Sequence, residues 1–258
     1  MIKALREAKT HSSWLNQNEE YERCVCNFVR GILAPESAFV NDFMKNQSSV
    51  ARAGMYNSLS QTLLKITAPG IPDFYQGTEI WDFSLVDPDN RRPIDYSQRQ
   101  SLLDSLESTE GAELVDELIE NPKDGRIKLF ITARGLNLRR TERELFERGE
   151  YIPLPASGDR ESHAIAFARM SGDKAVIVAA SRFFTRLWDD SRLPTGGEVW
   201  GNTTIVLPEE LSGCYQDRFT GRSVCAQKSE KVISLSLAEV FSDLPVALLE
   251  RENAKQTM

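Results

Sequence analysis

The chain has 258 residues, of which 41% are hydrophobic, and a formal net charge of −7 at pH 7. This length and apolar content suffice for the cores of one or two domains. The acidic balance argues against a nucleic-acid partner, because phosphate backbones are bound by clustered Lys and Arg. No apolar run approaches the roughly 18 residues of a membrane span, and the opening MIKALREAKT lacks the apolar core of a signal peptide. The sequence therefore predicts a cytoplasmic globular protein with neither a membrane nor a nucleic-acid partner.

The first 67 residues predict three helices and a preceding loop. Asn18 is placed to cap a helix that runs to about Leu33. A shorter helix is predicted over 36–45, and Ser48 or Ser49 opens a third one that an Ala-Pro-Gly break ends. Upstream of these helices a polar and aromatic cluster is expected on a loop: Lys9, His11, Ser13, Trp14 and Asn16.

The stretch from Ala68 to Tyr96, APGIPDFYQGTEIWDFSLVDPDNRRPIDY, concentrates the side chains that carry chemistry. Its apolar run Ile71–Tyr75 predicts a short buried strand, and a long polar loop follows. In parallel α/β folds such loops form ligand sites beyond the carboxyl ends of the strands. Rings such as Tyr75 and Trp81 offer flat apolar faces, while Asp and Arg offer directional hydrogen bonds. Together these residues favour a sugar ligand.

Four further helices are predicted between residues 97 and 149. They begin at a capping box of Ser97 and Gln100, at Glu113, after Asp124-Gly125, and at Thr141 with Glu144, and Gly149 ends the last. The basic run Arg134–Arg143 within the third predicts a solvated helix face.

From about Tyr151 the hydrophobic pattern changes to short β-rich runs separated by turns. The runs are HAIAFARM, AVIVAAS, NTTIVLP, CYQDRF, KVISLSL and PVALLE. Short strands of this kind, broken by Gly, Ser and Pro turns, are typical of an antiparallel sandwich. His163, which opens the first run, and Trp188 and Trp200 are expected to have structural roles.

The four cysteines give no metal-site pattern. Cys24 and Cys26 point to different faces of a helix because residues two apart are not neighbours there. Cys214 and Cys225 could meet across a hairpin. For a cytoplasmic protein, however, reduced thiols are the expectation.

Several stretches resemble a known enzyme family. GIPDFYQGTE resembles the last-strand motif of the α-amylase superfamily of eight-fold β/α barrels. The longer string PGIPDFYQGTEIWDFSLVDPDNRRPIDY is similar to the maltooligosyl trehalose synthases, as are Arg6–Glu22, Asp124–Arg140 and Asp217–Leu249. The resemblance implies an α+β chain: the C-terminal fragment of a (β/α)8 barrel with additional helices over 1–150, including its last strand and substrate loop, then an antiparallel β-sandwich over 151–258.

The resemblance also implies a reaction and a set of contacts. The family isomerises the reducing-end α-1,4 glucosyl link of a maltooligosaccharide to the α,α-1,1 link of trehalose. By this resemblance a maltooligosaccharide is the partner, no cofactor is needed, and the substrate-binding residues are His11, Trp14, Tyr75, Gln76, Glu79, Asp87, Asp89, Asn90, Arg91 and Arg92. A calcium loop of EF-hand type at Asp87 is rejected, because Arg92 and Gln98 stand where Gly and Glu are needed.

The catalytic carboxylates of the family are not expected in this chain. Retaining glycoside chemistry needs a nucleophile and an acid/base carboxyl about 5 Å apart, and the superfamily adds an aspartate in a His-Asp motif. Here His11 precedes Ser12 and His163 precedes Ala164, so the motif is missing. The chain is expected to be the C-terminal portion of such an enzyme, inactive alone and completed by an N-terminal part of the barrel.

Two alternatives remain open from the residues alone. Glu79 and Asp73 could simply pair with Arg91 or Arg92, and surface pairs of that kind contribute little to stability. The whole chain could instead be a non-catalytic α-glucan-binding or interaction module. An intact hydrolase is disfavoured, since the 73–95 loop alone would have to supply both carboxyl groups on opposite sides of the sugar.

Overall fold

The computed structural model describes residues 1–85, 87, 89–107, 112–187, 193–229 and 232–252. The helices are α1 Ile2–Ala8, α2 Glu19–Ile32, α3 Ala38–Thr67, α4 Tyr96–Glu107, α5 Ala112–Glu120, α6 Arg126–Thr141, α7 Arg143–Arg148, α8 Phe184–Leu187, α9 Gly196–Trp200 and α10 Leu237–Val240. The strands are β1 Glu150–Leu154, β2 Ala156–Ser157, β3 Ala164–Ser171, β4 Lys174–Ser181, β5 Thr204–Leu207, β6 Cys214–Asp217, β7 Ser223–Cys225, β8 Gln227–Lys228, β9 Ile233–Ser236 and β10 Val246–Arg251. Among these helices, none is long and apolar enough to cross a membrane.

The chain divides into two compact units, Met1–Arg52 and Ala53–Met258. In the first unit the predicted cap of α2 is confirmed, since the Asn18 side chain accepts a hydrogen bond from the Tyr21 amide at 3.0 Å. This bond satisfies one of the amides that have no partner within the first helical turn. The sequence therefore placed the start of α2 correctly.

One long helix replaces the two helices predicted after α2. The sequence placed a break near residue 46, but α3 runs without interruption from Ala38 to Thr67. The hydroxyls of Ser48 and Ser49 donate to the carbonyls of Lys45 and Asn46, at 3.2 and 3.1 Å, instead of capping a new helix. Serine can bond back to its own helix in this way, so its presence alone does not mark a start.

The helices α4 to α7 lie close to the predicted positions. The cap of α4 differs, because the Asp95 carboxylate, and not Ser97, accepts from the Gln98 amide at 2.9 Å. The predicted solvated face of α6 is also only partly solvated, since Arg139 donates to the carbonyls of Ile66 and Gly70, at 2.7 and 2.5 Å. Arg139 thereby satisfies one carbonyl in the last turn of α3 and one just beyond the helix.

The predicted antiparallel sheets are confirmed. One sheet has six strands in the order β1-β3-β4-β10-β6-β7, and the other has four in the order β2-β5-β9-β8. Their strand pairs are all antiparallel. The strand order departs from the chain order because β10 lies between β4 and β6. The last strand of the described residues is therefore in the centre of the larger sheet.

The larger sheet is buried on both faces. Residues of β4 alternate between two hydrophobic clusters: Ile177 and Ala179 belong to the cluster that includes residues of both sheets, whereas Val176 and Val178 pack with the helices. The helical cluster includes Leu63, Phe130 and Phe146. A strand covered on both sides reads as a continuous apolar run, which explains the string AVIVAA.

The predicted strand at Ile71–Tyr75 is not formed. These residues form no strand, and Ile71 is 96% exposed. The strands of the described residues all begin at Glu150 or later, and none pairs with this stretch. A strand needs partners for its amides and carbonyls, so an apolar run without neighbouring strands does not form one.

Three single residues were expected to have structural roles, and two of them are described. Trp200 is fully buried against Phe241, and its indole donates to the Pro194 carbonyl at 3.3 Å, as expected for a packing residue. His163 precedes β3 and contacts the Arg182 carbonyl through Nδ1. Trp188 lies outside the described residues.

The cysteine pair of the hairpin corrects the expectation of four reduced thiols. Cys214 and Cys225 are partners in the β6–β7 ladder and form a disulfide. Cys24 and Cys26 on α2 are free.

Candidate functional site

The candidate ligand loop, residues 75–95, begins at a tight turn. The Thr78 amide donates to the Tyr75 carbonyl at 3.2 Å, and Gly77 has φ +92°. A positive φ at the third position is typical of a type II turn and favours glycine. Tyr75 is 46% exposed and Gln76 is also exposed, so the turn presents both predicted ligand residues to solvent.

Two arginine–aspartate pairs occupy the far part of the loop. Arg91 binds both carboxylate oxygens of Asp87, with Nη2 at 3.0 Å from Oδ2, and Arg92 pairs with Asp89. The two arginine side chains are 68% and 72% exposed. These four predicted ligand residues therefore have their charges matched pairwise, and both arginines lie at the surface.

Asp89 also organises the backbone of the loop. It accepts a hydrogen bond from the Leu85 amide at 2.9 Å. This bond, followed by the positive charge of Arg92, lowers the pKa of Asp89 below its ordinary value. Asn90 lies beside it with a buried Oδ1 that has no hydrogen-bond partner among the described residues. The lowered pKa keeps the Asp89 carboxylate ionised, so it can accept hydrogen bonds.

Glu79 does not pair with Arg91 or Arg92, and this corrects one of the two alternatives left open by the sequence. Its Oε2 accepts from Nε of Arg99 at 3.0 Å. Arg99 lies in the first turn of α4, which the sequence analysis did not connect with the loop. A contact between residues 20 apart carries no local sequence signal, and only the fold brings them together.

Two residues that sequence reasoning missed, Pro122 and Lys128, contact Trp81 near the start of the loop. The Trp81 indole donates to the Pro122 carbonyl at 2.6 Å, and Lys128 lies 5.7 Å from the centre of that ring. Lys128 also donates to the Ile80 carbonyl at 3.3 Å. Burial, and then the nearby Lys65, lower the pKa of Lys128. The predicted sugar-stacking ring Trp81 is therefore engaged as an anchor.

The predicted contacts His11 and Trp14 lie in the first unit, in a cluster built around Glu22. Arg6 binds both oxygens of Glu22 at 2.8 Å, and Ser12 donates to Oε1 at 2.5 Å. The bonds from Arg6 and Ser12 lower the pKa of Glu22 to about 2. Trp14 stacks with Arg6 at 5.4 Å and remains 47% exposed.

His11 is an exposed neighbour of that cluster. Its ring lies 5.1 Å from the ring of Tyr21, at a tilt of 57°. An exposed imidazole and an exposed indole can both contact a sugar, through a hydrogen bond and a flat apolar face respectively. The first unit therefore offers two of the predicted ligand groups by itself.

The arrangement is suited to hydrogen bonding of a neutral polyhydroxyl ligand. Carboxylates accept from hydroxyls and guanidinium groups donate to them, and both are exposed in the loop. Within the described part of the chain, no group of three or more His, Cys, Asp or Glu residues could hold a metal ion.

The class of protein follows from comparison of this fold with solved structures. No family model matches the chain. The fold recurs within larger enzymes of known structure, with 97% of this chain covered. The chain thus has the fold of one segment of a larger sugar enzyme.

Those enzymes are maltooligosyl trehalose synthases. The enzyme from Arthrobacter ramosus matches with a TM-score of 0.77 at 32% identity, and a hypothetical one from Sulfolobus tokodaii with a TM-score of 0.63 at 30% identity. Two Mycobacterium tuberculosis sequences are 36% identical to this chain over 98% of its length, and both are provisionally named maltooligosyl trehalose synthase. The chain spans 28% of the length of those sequences and 29% of the Arthrobacter ramosus chain. The resemblance predicted from the sequence motifs is confirmed.

Proposed function

We propose that this chain supplies the ligand-loop part of an intramolecular glucosyltransferase that converts the reducing-end α-1,4 link of a maltooligosaccharide to the α,α-1,1 link of trehalose. The observation that carries the proposal is the exposed set of Asp87–Arg91 and Asp89–Arg92 pairs in a chain that is similar over nearly its whole length to maltooligosyl trehalose synthases. The reaction is an isomerisation, so atoms balance without water or cofactor.

The loop residues have a direct part in this proposal. Exposed ion pairs contribute only about 0–1 kcal/mol, so a sugar hydroxyl can replace one partner of each pair at little cost. Asp87 and Asp89 would accept from glucosyl hydroxyls, while Arg91 and Arg92 donate. Tyr75 is half exposed and would contribute a ring face to the same glucosyl unit.

The proposal assigns the bond-breaking step to carboxylates outside this chain. A retaining mechanism forms a covalent glucosyl–enzyme through one carboxylate and uses a second as acid and then base. The glucose released from the reducing end must reattach through its anomeric hydroxyl before water does. We expect the chain alone to be inactive, and a complementing N-terminal barrel segment to be its partner.

The proposed layout places the barrel segment at 1–150 and a β-sandwich at 151–258. Support comes from the strands of the described residues, which all begin at Glu150 or later, and from the core that residues of both sheets share. The proposal also places the enzyme in the cytoplasm.

The test is maltopentaose turnover by the chain alone and by the chain mixed with the part of the Arthrobacter ramosus enzyme that it does not match. Non-reducing product is quantified. The variant Arg92→Gln keeps polarity but removes the charged fork, and we expect it to lower turnover in the mixture about tenfold or more. Arg143→Gln is the matched control, since the Arg143 side chain is similarly exposed, at 76%, and pairs with Glu147 on α7.

Product in the mixture but not from the chain alone supports the proposal. Product from the chain alone would show that it holds its own nucleophile and would contradict the assignment of the carboxylates. Equal losses in Arg92→Gln and Arg143→Gln would contradict the role of the loop.

A second candidate function is a non-catalytic glucan-binding or interaction module. It is favoured by the two extensive hydrophobic clusters of the described residues, which give the chain cores of its own. This reading predicts maltopentaose binding by the chain, measured by calorimetry, without non-reducing product in any mixture.

A further inference from the structure

Arg99 joins the two ends of the ligand loop. Its guanidinium donates to three acceptors: Oε2 of Glu79 at 3.0 Å, the Gly77 carbonyl at 3.1 Å and the Asp95 carbonyl at 3.1 Å. Glu79 and Gly77 lie at the start of the loop, and Asp95 lies at its end. The side chain of Arg99 is only 15% exposed, so these bonds are more shielded from water than those at the tip. A planar guanidinium can satisfy several acceptors at once because its five N–H donors are fixed in one fork.

An independent observation shows that the same two ends are in contact. A Cβ atom placed on Gly77 would lie 2.8 Å from Cδ1 of Ile94, which is closer than side chains tolerate. Gly77 is buried and has φ +92°. The turn at the start of the loop is therefore packed directly on the residue that precedes Asp95. Hydrogen bonds and van der Waals contact close the loop at the same place.

The tip of the loop has its own internal pairing. Asp87 binds Arg91 and Asp89 binds Arg92, within four residues in each case. These bonds shape the tip, but they do not attach it to α4 or α6. Upstream, Trp81 and Lys128 hold residues 80–81 against the start of α6. The position of the paired Asp and Arg groups therefore depends on where the loop returns to α4, and Arg99 lies at that point.

We propose that Arg99 is a positioning residue that closes the base of the loop and so places Asp87, Asp89, Arg91 and Arg92 for the sugar. This inference rests on the proposed function of the loop. It removes Glu79 from the set of direct sugar contacts, since the carboxylate is engaged by Arg99. Its expected role is in substrate binding and not in bond breaking, because none of its three bonds reaches the exposed pairs at the tip.

The test compares Arg99→Met with Arg126→Met. Arg126 is a matched control: its side chain is 16% exposed and it also binds carboxylates, namely Glu117 at 2.7 Å and Asp124 at 2.6 Å, but it is not in the loop. Both variants lose a shielded arginine and its hydrogen bonds. General loss of stability should therefore affect both, and only the loop should distinguish them.

The first readout is limited trypsin cleavage, which needs no sugar. Arg91 lies in the loop and is exposed, and the bond that follows it, to Arg92, can be cut. We expect Arg99→Met to be cut there about tenfold faster than the parent chain, as followed by mass spectrometry, because an open loop fits a protease more readily. Arg126→Met should be cut there at the parent rate.

The second readout is maltopentaose turnover in the complemented mixture. We expect Arg99→Met to raise KM about tenfold with kcat within about twofold of the parent value, since the loop binds but does not react. Arg126→Met should change neither. A fall in kcat at unchanged KM, cleavage of Arg99→Met at the parent rate, or equal acceleration in both variants would overturn the proposal.

The two proposals fail separately. If the parent chain in the complemented mixture does not convert maltopentaose, the proposed function fails. The trypsin comparison still decides whether Arg99 closes the loop. If maltopentaose is converted and the Arg99→Met variant is normal in both readouts, only the positioning role is lost.

Discussion

The buried carboxylate of Asp217 gives a pH dependence of stability with a defined sign. Asp217 ends β6 and is 3% exposed. Its Oδ1 accepts from the amides of Phe219 and Leu248, at 3.1 and 3.3 Å, and its Oδ2 accepts from the Thr220 hydroxyl at 2.9 Å. These bonds favour the charged form. Burial disfavours it more strongly, and the net result raises the pKa of Asp217 from 3.8 to about 6.

The direction of the effect follows from proton uptake. Between pH 3.8 and 6 the folded protein holds a proton on Asp217 that the unfolded chain has lost, so the free energy of unfolding falls as pH rises through this window. The pKa difference of about two units corresponds to roughly 3 kcal/mol. The stabilising contribution is fully present below about pH 4 and is absent above about pH 6.

The variant Asp217→Asn isolates this effect because asparagine cannot ionise. Its Oδ1 can still accept from both backbone amides, and the Thr220 hydroxyl can turn to accept from Nδ2. We expect the free energy of unfolding of the variant to rise relative to that of the parent chain by up to about 3 kcal/mol between pH 4 and pH 7. That is a shift of about 1–2 M in the urea midpoint.

Urea unfolding at four pH values measures the difference, and other titrating groups cancel because both proteins share them. Asp116→Asn on the exposed face of α5 controls for the loss of one negative charge. A difference that does not change with pH would refute the reasoning. If the free energy of unfolding of the parent chain instead rises relative to that of the variant as pH rises, the hydrogen bonds to the carboxylate outweigh its burial.

Two other predictions concern Gly77 and Glu22. Gly77→Ala places a side chain at a φ of +92° and against Ile94. We expect it to lower the free energy of unfolding, measured in urea, by about 1–3 kcal/mol. The control Gly54→Ala, on the open face of α3, should raise the free energy of unfolding by up to about 1 kcal/mol. The bonds from Arg6 and Ser12 lower the pKa of Glu22 to about 2. The ionised Glu22 therefore stabilises the first unit fully above about pH 4.5, and this stabilisation is lost as pH falls through about 2. NMR titration of the Glu22 carboxyl checks this, and a midpoint near 4.5 would contradict it.

Local sequence signals predicted much of the fold. Asn18 marked the start of α2, and alternation with turn residues located the larger strands. Such signals work because capping bonds and strand periodicity depend on residues a few positions apart. The types of residue in the ligand loop were likewise visible, as was the resemblance to maltooligosyl trehalose synthases.

What the sequence could not give is which distant groups meet. The apolar run Ile71–Tyr75 read as a strand but has no strand beside it, and Ser48 and Ser49 read as a helix start but bond back into α3. From the sequence, Glu79 could have paired with Arg91 or Arg92. In the structure it pairs with Arg99 on α4. The two serines show a local ambiguity, because a serine hydroxyl can cap a helix or bond back within one. The apolar run and Glu79 share another physical reason. A backbone or side-chain polar group accepts any partner of suitable charge and geometry, so its actual partner is decided only when tertiary packing fixes which one lies within about 3 Å.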